Sequence, residues 1–119
     1  MITYVLVAVG GALGSVGRFW LGIAMIRLTG ASFPWGTILI NILGSFVIGW
    51  YGARYPVSND ARAFVMAGLC GGFTTFSAFS LQTAELLRAG EAGRAVANIF
   101  LSVGACLVAT LVGLALGRQ

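Results

Sequence analysis

Four apolar stretches, at about residues 2–26, 34–51, 62–87 and 95–116, take up most of the chain, and the connections between them hold six of its ten charged residues. A helix needs about 20 apolar residues to cross the hydrocarbon core of a bilayer. The expected fold class is therefore an all-α integral membrane protein, a single transmembrane domain over residues 1–119 with four transmembrane helices and very short connections. Hydrophobic residues make up 59 % of the chain and charged residues 8 %, against about 25 % charged in soluble domains. The net charge of +4, from seven arginines and three acids, is too sparse for a nucleic-acid footprint, and the arginines are expected at helix ends near the headgroups. Cys70 and Cys106 fall inside spans without metal-ligand spacing and read as small packing residues. The first apolar run lacks a basic leader and continues past Arg18 to Ile26, so it reads as a retained helix and not as a signal peptide.

Within the third stretch, Gly68 to Ser80 reads GLCGGFTTFSAFS. A plain span needs neither a glycine pair nor four hydroxyl residues set among three phenylalanines. Glycine weakens a helix by roughly 1 kcal/mol relative to alanine, and irregular backbone at membrane depth survives only where protein buries it or it lines a cavity. The stretch from Arg62 to Leu87 is longer than one straight crossing requires, which leaves residues for a break, expected at Gly71 and Gly72. Carbonyls freed near Gly71 and Thr74 suit a small cation, as in discontinuous transporter helices. Phe76 and Phe79 share a helix face at i, i+3; Ser80 and Thr83 follow them, each by four residues. Aromatic edges carry partial positive charge and hydroxyls donate to anions, so this face suits an anion. The plainer alternative is an aromatic packing stripe.

The other spans carry polar residues of their own. In the first, Tyr4 and Trp20 suit the two interfaces, and Gly10, Gly14 and Arg18 recur at i, i+4, a small-residue pattern that lets another helix approach closely. An ionisable residue inside a span faces a partner or water by default. Arg18 either snorkels to the interface beside Trp20 or lends positive potential to a wet vestibule that favours anions. In the second span, Pro34 suits the first helical turn, Trp35 anchors the entry, and Trp50, Tyr51 and Tyr55 anchor the exit. Asn41 sits near its centre in a row with Gly44, Ser45, Gly49 and Gly52. A mid-membrane amide must hydrogen-bond, and either helix-to-helix glue or an ion-facing donor role satisfies it.

In the connection from Arg54 to Arg62, Pro56 is expected to break the helix and Ser58, Asn59 or Asp60 to cap the next one. Asp60 reads as a cap or an exposed charge. Glu85 with Arg88, and Glu91 with Arg94, are expected helix-surface pairs. In the fourth span, Asn98, Ser102, Cys106 and Thr110 follow one another every four residues. Each step rotates by about 40 degrees, so the row reads either as a polar track through the membrane or as packing by small residues.

Four spans place both termini and the second connection on one side, with Arg54, Arg62 and Arg118, and the other connections opposite, with Arg27, Arg88 and Arg94. Equal numbers on the two sides give no positive-inside preference. A chain without that bias can insert both ways and pair with its inverted copy, a two-chain counterpart of inverted repeats. So small a chain has little interior, and shielding an ion site from lipid on every side calls for a second copy in any case.

With GGFTTFSAF in the third span, an arginine after a glycine-rich first helix and NILGS in the second span, the whole chain resembles the Fluc (CrcB-like) family of fluoride channels. The resemblance implies a passive fluoride-selective ion channel of the bacterial plasma (inner) membrane, exporting cytoplasmic fluoride down its electrochemical gradient. It implies an antiparallel dual-topology homodimer with two pores and a central structural sodium ion (Na+) at the dimer interface. Phe76 and Phe79 are implied as pore phenylalanines, Asn41 as the pore amide, and Ser102 and Thr110 as members of the helix-four track. Gly71 and Thr74 are implied as the sodium-binding carbonyls. The reading of the residues adds Ser80 and Thr83 to that pore and Arg18 to its vestibule. The chain departs from the family pattern at Gln82, where many members have an acid, and at Cys106, where a hydroxyl is expected; Asn98 occupies a variable position.

Fluoride is small and tightly hydrated, so a pore must replace its water with several donors without forming a deep charged trap. Phenyl edges, an amide and hydroxyls meet that requirement. The competing reading is a small dual-topology multidrug/proton antiporter, which needs a proton-exchanging side chain within the membrane. The acids here, Asp60, Glu85 and Glu91, are expected at or beyond span ends. A structural subunit built on glycine-rich packing is a third class. An enzyme is not expected, because the sequence offers no Ser/His/Asp set, metal-ligand cluster or nucleotide-binding glycine motif.

Overall fold

The computed structural model describes residues 1–55 and 58–119, and its four principal helices are long and apolar enough to cross a membrane. They are α1 (Ile2–Thr29), α2 (Trp35–Arg54), α3 (Asn59–Arg88) and α4 (Ala92–Gly117). The protein is thus all-helical, with the makeup of a multi-pass membrane protein. α1 and α2 continue past the ends expected at Ile26 and Tyr51, and α3 and α4 start ahead of Arg62 and Ala95. Arg27 and Arg54 lie in these extra turns; long basic side chains stay helical while carrying their charge out of the apolar layer. Pro56, expected to break the chain after α2, lies outside the described residues.

The helix ends have identifiable causes. Gly30 stops α1 at φ +79°, a backbone conformation that favours glycine, with its N–H on Ile26 O at 2.8 Å. Ser58 caps α3 by accepting from Ala61 N at 3.4 Å. Asp60 instead accepts from Thr3 Oγ1 at 2.9 Å, tying the start of α3 to the start of α1. Glu91 pairs with Arg94 at 3.9 Å. The other expected pair, Glu85 with Arg88, is not formed among the described residues.

Packing divides the helices two by two: α1 lies along the first half of α3, and α2 lies along α4. Glycine makes both contacts possible. Gly10 and Gly14 of α1 face Gly68 and Gly72 of α3, and a Cβ on Gly72 would stand 2.5 Å from Gly11 O. Gly49, Gly113 and Gly117 likewise rest against the backbone of Thr110, Phe46 and Trp50. Without a hydrophobic force between helices in lipid, such backbone contact and its dispersion energy hold the spans together.

α3 is not one continuous α-helix. A first α turn (Asn59–Arg62) gives way to a π-helical segment, Ala63–Cys70, and then to a short α turn, Gly71–Phe73. Thr74 (φ −80°, ψ 157°) and Thr75 (φ −150°, ψ 115°) are extended, and Phe76–Arg88 resumes as α-helix. The break expected at Gly71 and Gly72 therefore falls three residues later, since both glycines are helical. Their small size serves the approach of α1, whereas Thr75 is suited to restart the helix: its side chain accepts from Ala78 N at 3.1 Å as an N-cap.

Candidate functional site

Two extended residues in the middle of a span leave main-chain groups that lipid cannot satisfy. Three side chains take up part of the deficit. Thr74 turns both its N–H (2.9 Å) and its hydroxyl (2.8 Å) back to Cys70 O. Asn41, from α2, accepts from Thr75 N at 2.8 Å and donates to Thr75 O at 3.1 Å. Arg18, from α1, donates its Nε to Gly72 O at 3.2 Å. The helical donors for Gly71 O and Thr74 O would be the N–H groups of Thr75 and Ala78, which are committed to Asn41 Oδ1 and Thr75 Oγ1. Among the described residues, these two carbonyls are left with free lone pairs.

Beside the interruption lies a groove of about 370 Å³ between α2, α3 and α4. Phe76, Phe79, Asn41, Ser102, Gly71 and Thr74 all line it, so six of the residues singled out from sequence share one surface. The rings of Phe76 and Phe79 lie 5.4 Å apart and are inclined by 50°. Phe76 is 77 % exposed and Phe79 only 9 %, so one ring stands free at the edge while the other forms part of the wall.

Other predicted residues lie elsewhere. Thr83 is buried and donates to Phe79 O at 2.7 Å. It accepts from Asn98 Nδ2 at 2.9 Å, and Asn98 Oδ1 accepts from Ser102 Oγ at 3.1 Å. Thr110 donates to Ser45 O at 3.2 Å and fastens α4 to α2. Ser80 is exposed and not on the groove wall. Arg18 is half-buried at the interruption, so its main partner is a backbone carbonyl. The helix-four row is thus split: Ser102 and Cys106 reach the groove, while Asn98 and Thr110 are bound into helix contacts.

Several residues matter more than their sequence context suggested. Thr75 is both clasp and cap, a role readable only from its helix-capping residue type ahead of Phe76. Gly44 packs directly on the Thr74 methyl group, so α2 has no room for a side chain there. Asn98 is 1 % exposed, the most buried large side chain in the described chain. Gln82 has a buried Oε1 without a hydrogen-bond partner among the described residues, beside a second cleft of about 310 Å³ that Thr37 and Glu85 also line. The groove itself presents two phenyl rings, freed carbonyls and a few polar side chains.

A family model described as "CrcB-like protein, Camphor Resistance (CrcB)" matches residues 5–114. A protein of Methylocella silvestris named "Fluoride-specific ion channel FluC" is 53 % identical over 116 residues, covering 92 % of this chain and 88 % of its own. Its namesake in Opitutus terrae is 50 % identical over 119 residues, 95 % of this chain and 90 % of the relative. That of Agrobacterium fabrum is 45 % identical, with 100 % of this chain and 98 % of the relative covered. A match that takes in all four helices, the interruption and the groove places the chain in a family: it belongs to the CrcB-like proteins.

Proposed function

We propose that this chain is a passive fluoride-selective channel of the bacterial inner membrane that lets cytoplasmic fluoride leave down its electrochemical gradient. The observation that carries the reading is the groove in which Phe76 and Phe79 stand beside Asn41 and the interrupted helix. The names of the relatives, fluoride-specific ion channels, support it. Phenyl edges offer partial positive charge without a formal cation, and conduction needs binding weak enough to release the ion again. The protein is on this reading a conduit and not an enzyme.

The functional unit is an antiparallel dual-topology homodimer with two pores. Phe76, exposed at the groove edge, needs a second surface to complete a path shielded from lipid, and a balanced arginine distribution permits insertion in both directions. The free lone pairs of Gly71 O and Thr74 O fit a sodium ion on the dimer axis, since unwound backbone carbonyls are the usual ligands for such an ion in membrane transporters. Bound there, sodium would supply a fixed positive charge joining the two copies. Asn41 and Thr75 hold the local backbone, and Arg18 holds Gly72 O, so those carbonyls keep their place.

The deciding experiment is efflux of fluoride from reconstituted liposomes, driven by potassium and valinomycin, with chloride as control. Fluoride efflux without proton coupling is the expected result; absence of fluoride flux sinks the proposal. Proton-coupled exchange would favour the antiporter, although Asp60, Glu85 and Glu91 are all exposed.

A further inference from the structure

We propose that Asn98 is a positioning residue that sets how readily Ser102 serves an anion in the groove, by claiming the one hydroxyl proton that such an ion would need. The inference rests on the fluoride-channel reading and extends it to a residue outside the groove.

Phe79 O can only accept, so Thr83 spends its single hydroxyl proton there, at 2.7 Å. Thr83 Oγ1 is left with lone pairs alone, and the group 2.9 Å from it must be a donor, the Nδ2 of Asn98. That fixes the amide, whose Oδ1 then faces Ser102. Ser102 Oγ must donate to it, at 3.1 Å. Protons point one way along the whole row, from Ser102 through Asn98 and Thr83 to Phe79. Reversing the row would turn the Thr83 proton away from Phe79 O and leave two oxygens 2.7 Å apart with no proton between them.

Ser102 is the member of the row that lines the groove. With its proton on Asn98 it has only lone pairs to offer an anion, which repel it. To bind one, Ser102 must turn its hydroxyl away from Asn98 Oδ1. Asn98 is 1 % exposed, so no solvent takes the vacated position, and a buried acceptor without a donor is costly. The ion therefore competes with Asn98 for one proton, and its hold on Ser102 is weakened by the strength of the bond it displaces. A leucine of similar size at position 98 would remove the competitor.

The test is a double-mutant cycle in reconstituted liposomes, reading the fluoride concentration that gives half-maximal flux for wild type, Asn98→Leu, Ser102→Ala and the double variant. Asn98→Leu is expected to lower that concentration about fivefold, the worth of roughly one hydrogen bond, and to have no effect once Ser102 is alanine. Equal shifts in both backgrounds, or no shift in the single variant, would overturn the inference while leaving the channel reading in place. A purely structural role for Asn98 would act in both backgrounds alike. A wild-type protein that passes no fluoride would refute the channel reading and this inference with it. Should Asn98→Leu not fold, Asn98→Ser, too short to reach Ser102, carries the same comparison.

Discussion

Asn41 and Thr75 hold each other by two hydrogen bonds, side-chain amide against main-chain peptide, at 3.1 and 2.8 Å. The amide stands in for the helical partners that Thr75 lost when the chain became extended. Asn41→Asp keeps size and acceptor but removes the donor and sets a carboxylate beside Thr75 O. Losing a hydrogen bond to a partly buried group costs about 1–3 kcal/mol, so the variant should unfold at lower temperature in detergent, and its fluoride flux should fall as the interruption loosens. Unchanged thermal stability in this variant would remove the bracing role assigned to Asn41.

The two phenylalanines should respond differently. Phe79 is nearly buried and Phe76 is 77 % exposed, so only Phe79→Ile should reduce the stability of the folded chain, by about 1–3 kcal/mol as expected for a change of core shape. Both substitutions should reduce fluoride flux while the elution volume on size-exclusion chromatography stays that of the wild type. Normal flux in both variants would refute the assignment of these rings to the ion path.

Glycine substitutions separate helix contact from helix propensity. A Cβ on Gly72 would stand 2.5 Å from Gly11 O, whereas one on Gly22 or Gly104 meets nothing within 4 Å. Gly72→Ala should destabilise by about 1–3 kcal/mol through overpacking. Gly22→Ala and Gly104→Ala should be neutral or gain up to about 1 kcal/mol from better helix propensity. Thermal unfolding of the three variants side by side is the check, and a uniform response would contradict the packing described for α1 and α3.

Cys106 lines the groove as a thiol, a weaker donor than a hydroxyl. Cys106→Ser should fold normally and raise fluoride flux, measured by the same liposome efflux. A lower flux with intact folding would show that the thiol's lack of donor strength is not what limits this part of the wall.

The spans were legible in the sequence because hydropathy over some 20 residues is a strong signal. Position within α3 was less so. Gly71 and Gly72 point to a break but serve the approach of α1, and that requirement is set by Gly10 and Gly14 far away in the chain. Arg18 looked like a choice between interface and vestibule; the acceptor it uses, Gly72 O, is freed only by the extended Thr74 and Thr75. Asn98 could be placed in a row of four-residue steps, yet its hydrogen-bond partner Thr83 lies across a helix pair, a long-range relationship that periodicity does not carry.

The glycine contacts have a mechanical consequence. α1 with the first half of α3, and α2 with α4, are each joined backbone to backbone at Gly72, Gly113 and their neighbours, which makes two stiff plates. The groove runs along the seam between them, where side chains such as Asn41 do the joining. Moving one plate against the other breaks side-chain bonds such as that of Asn41 with Thr75, whereas deforming either plate has to part backbone from backbone.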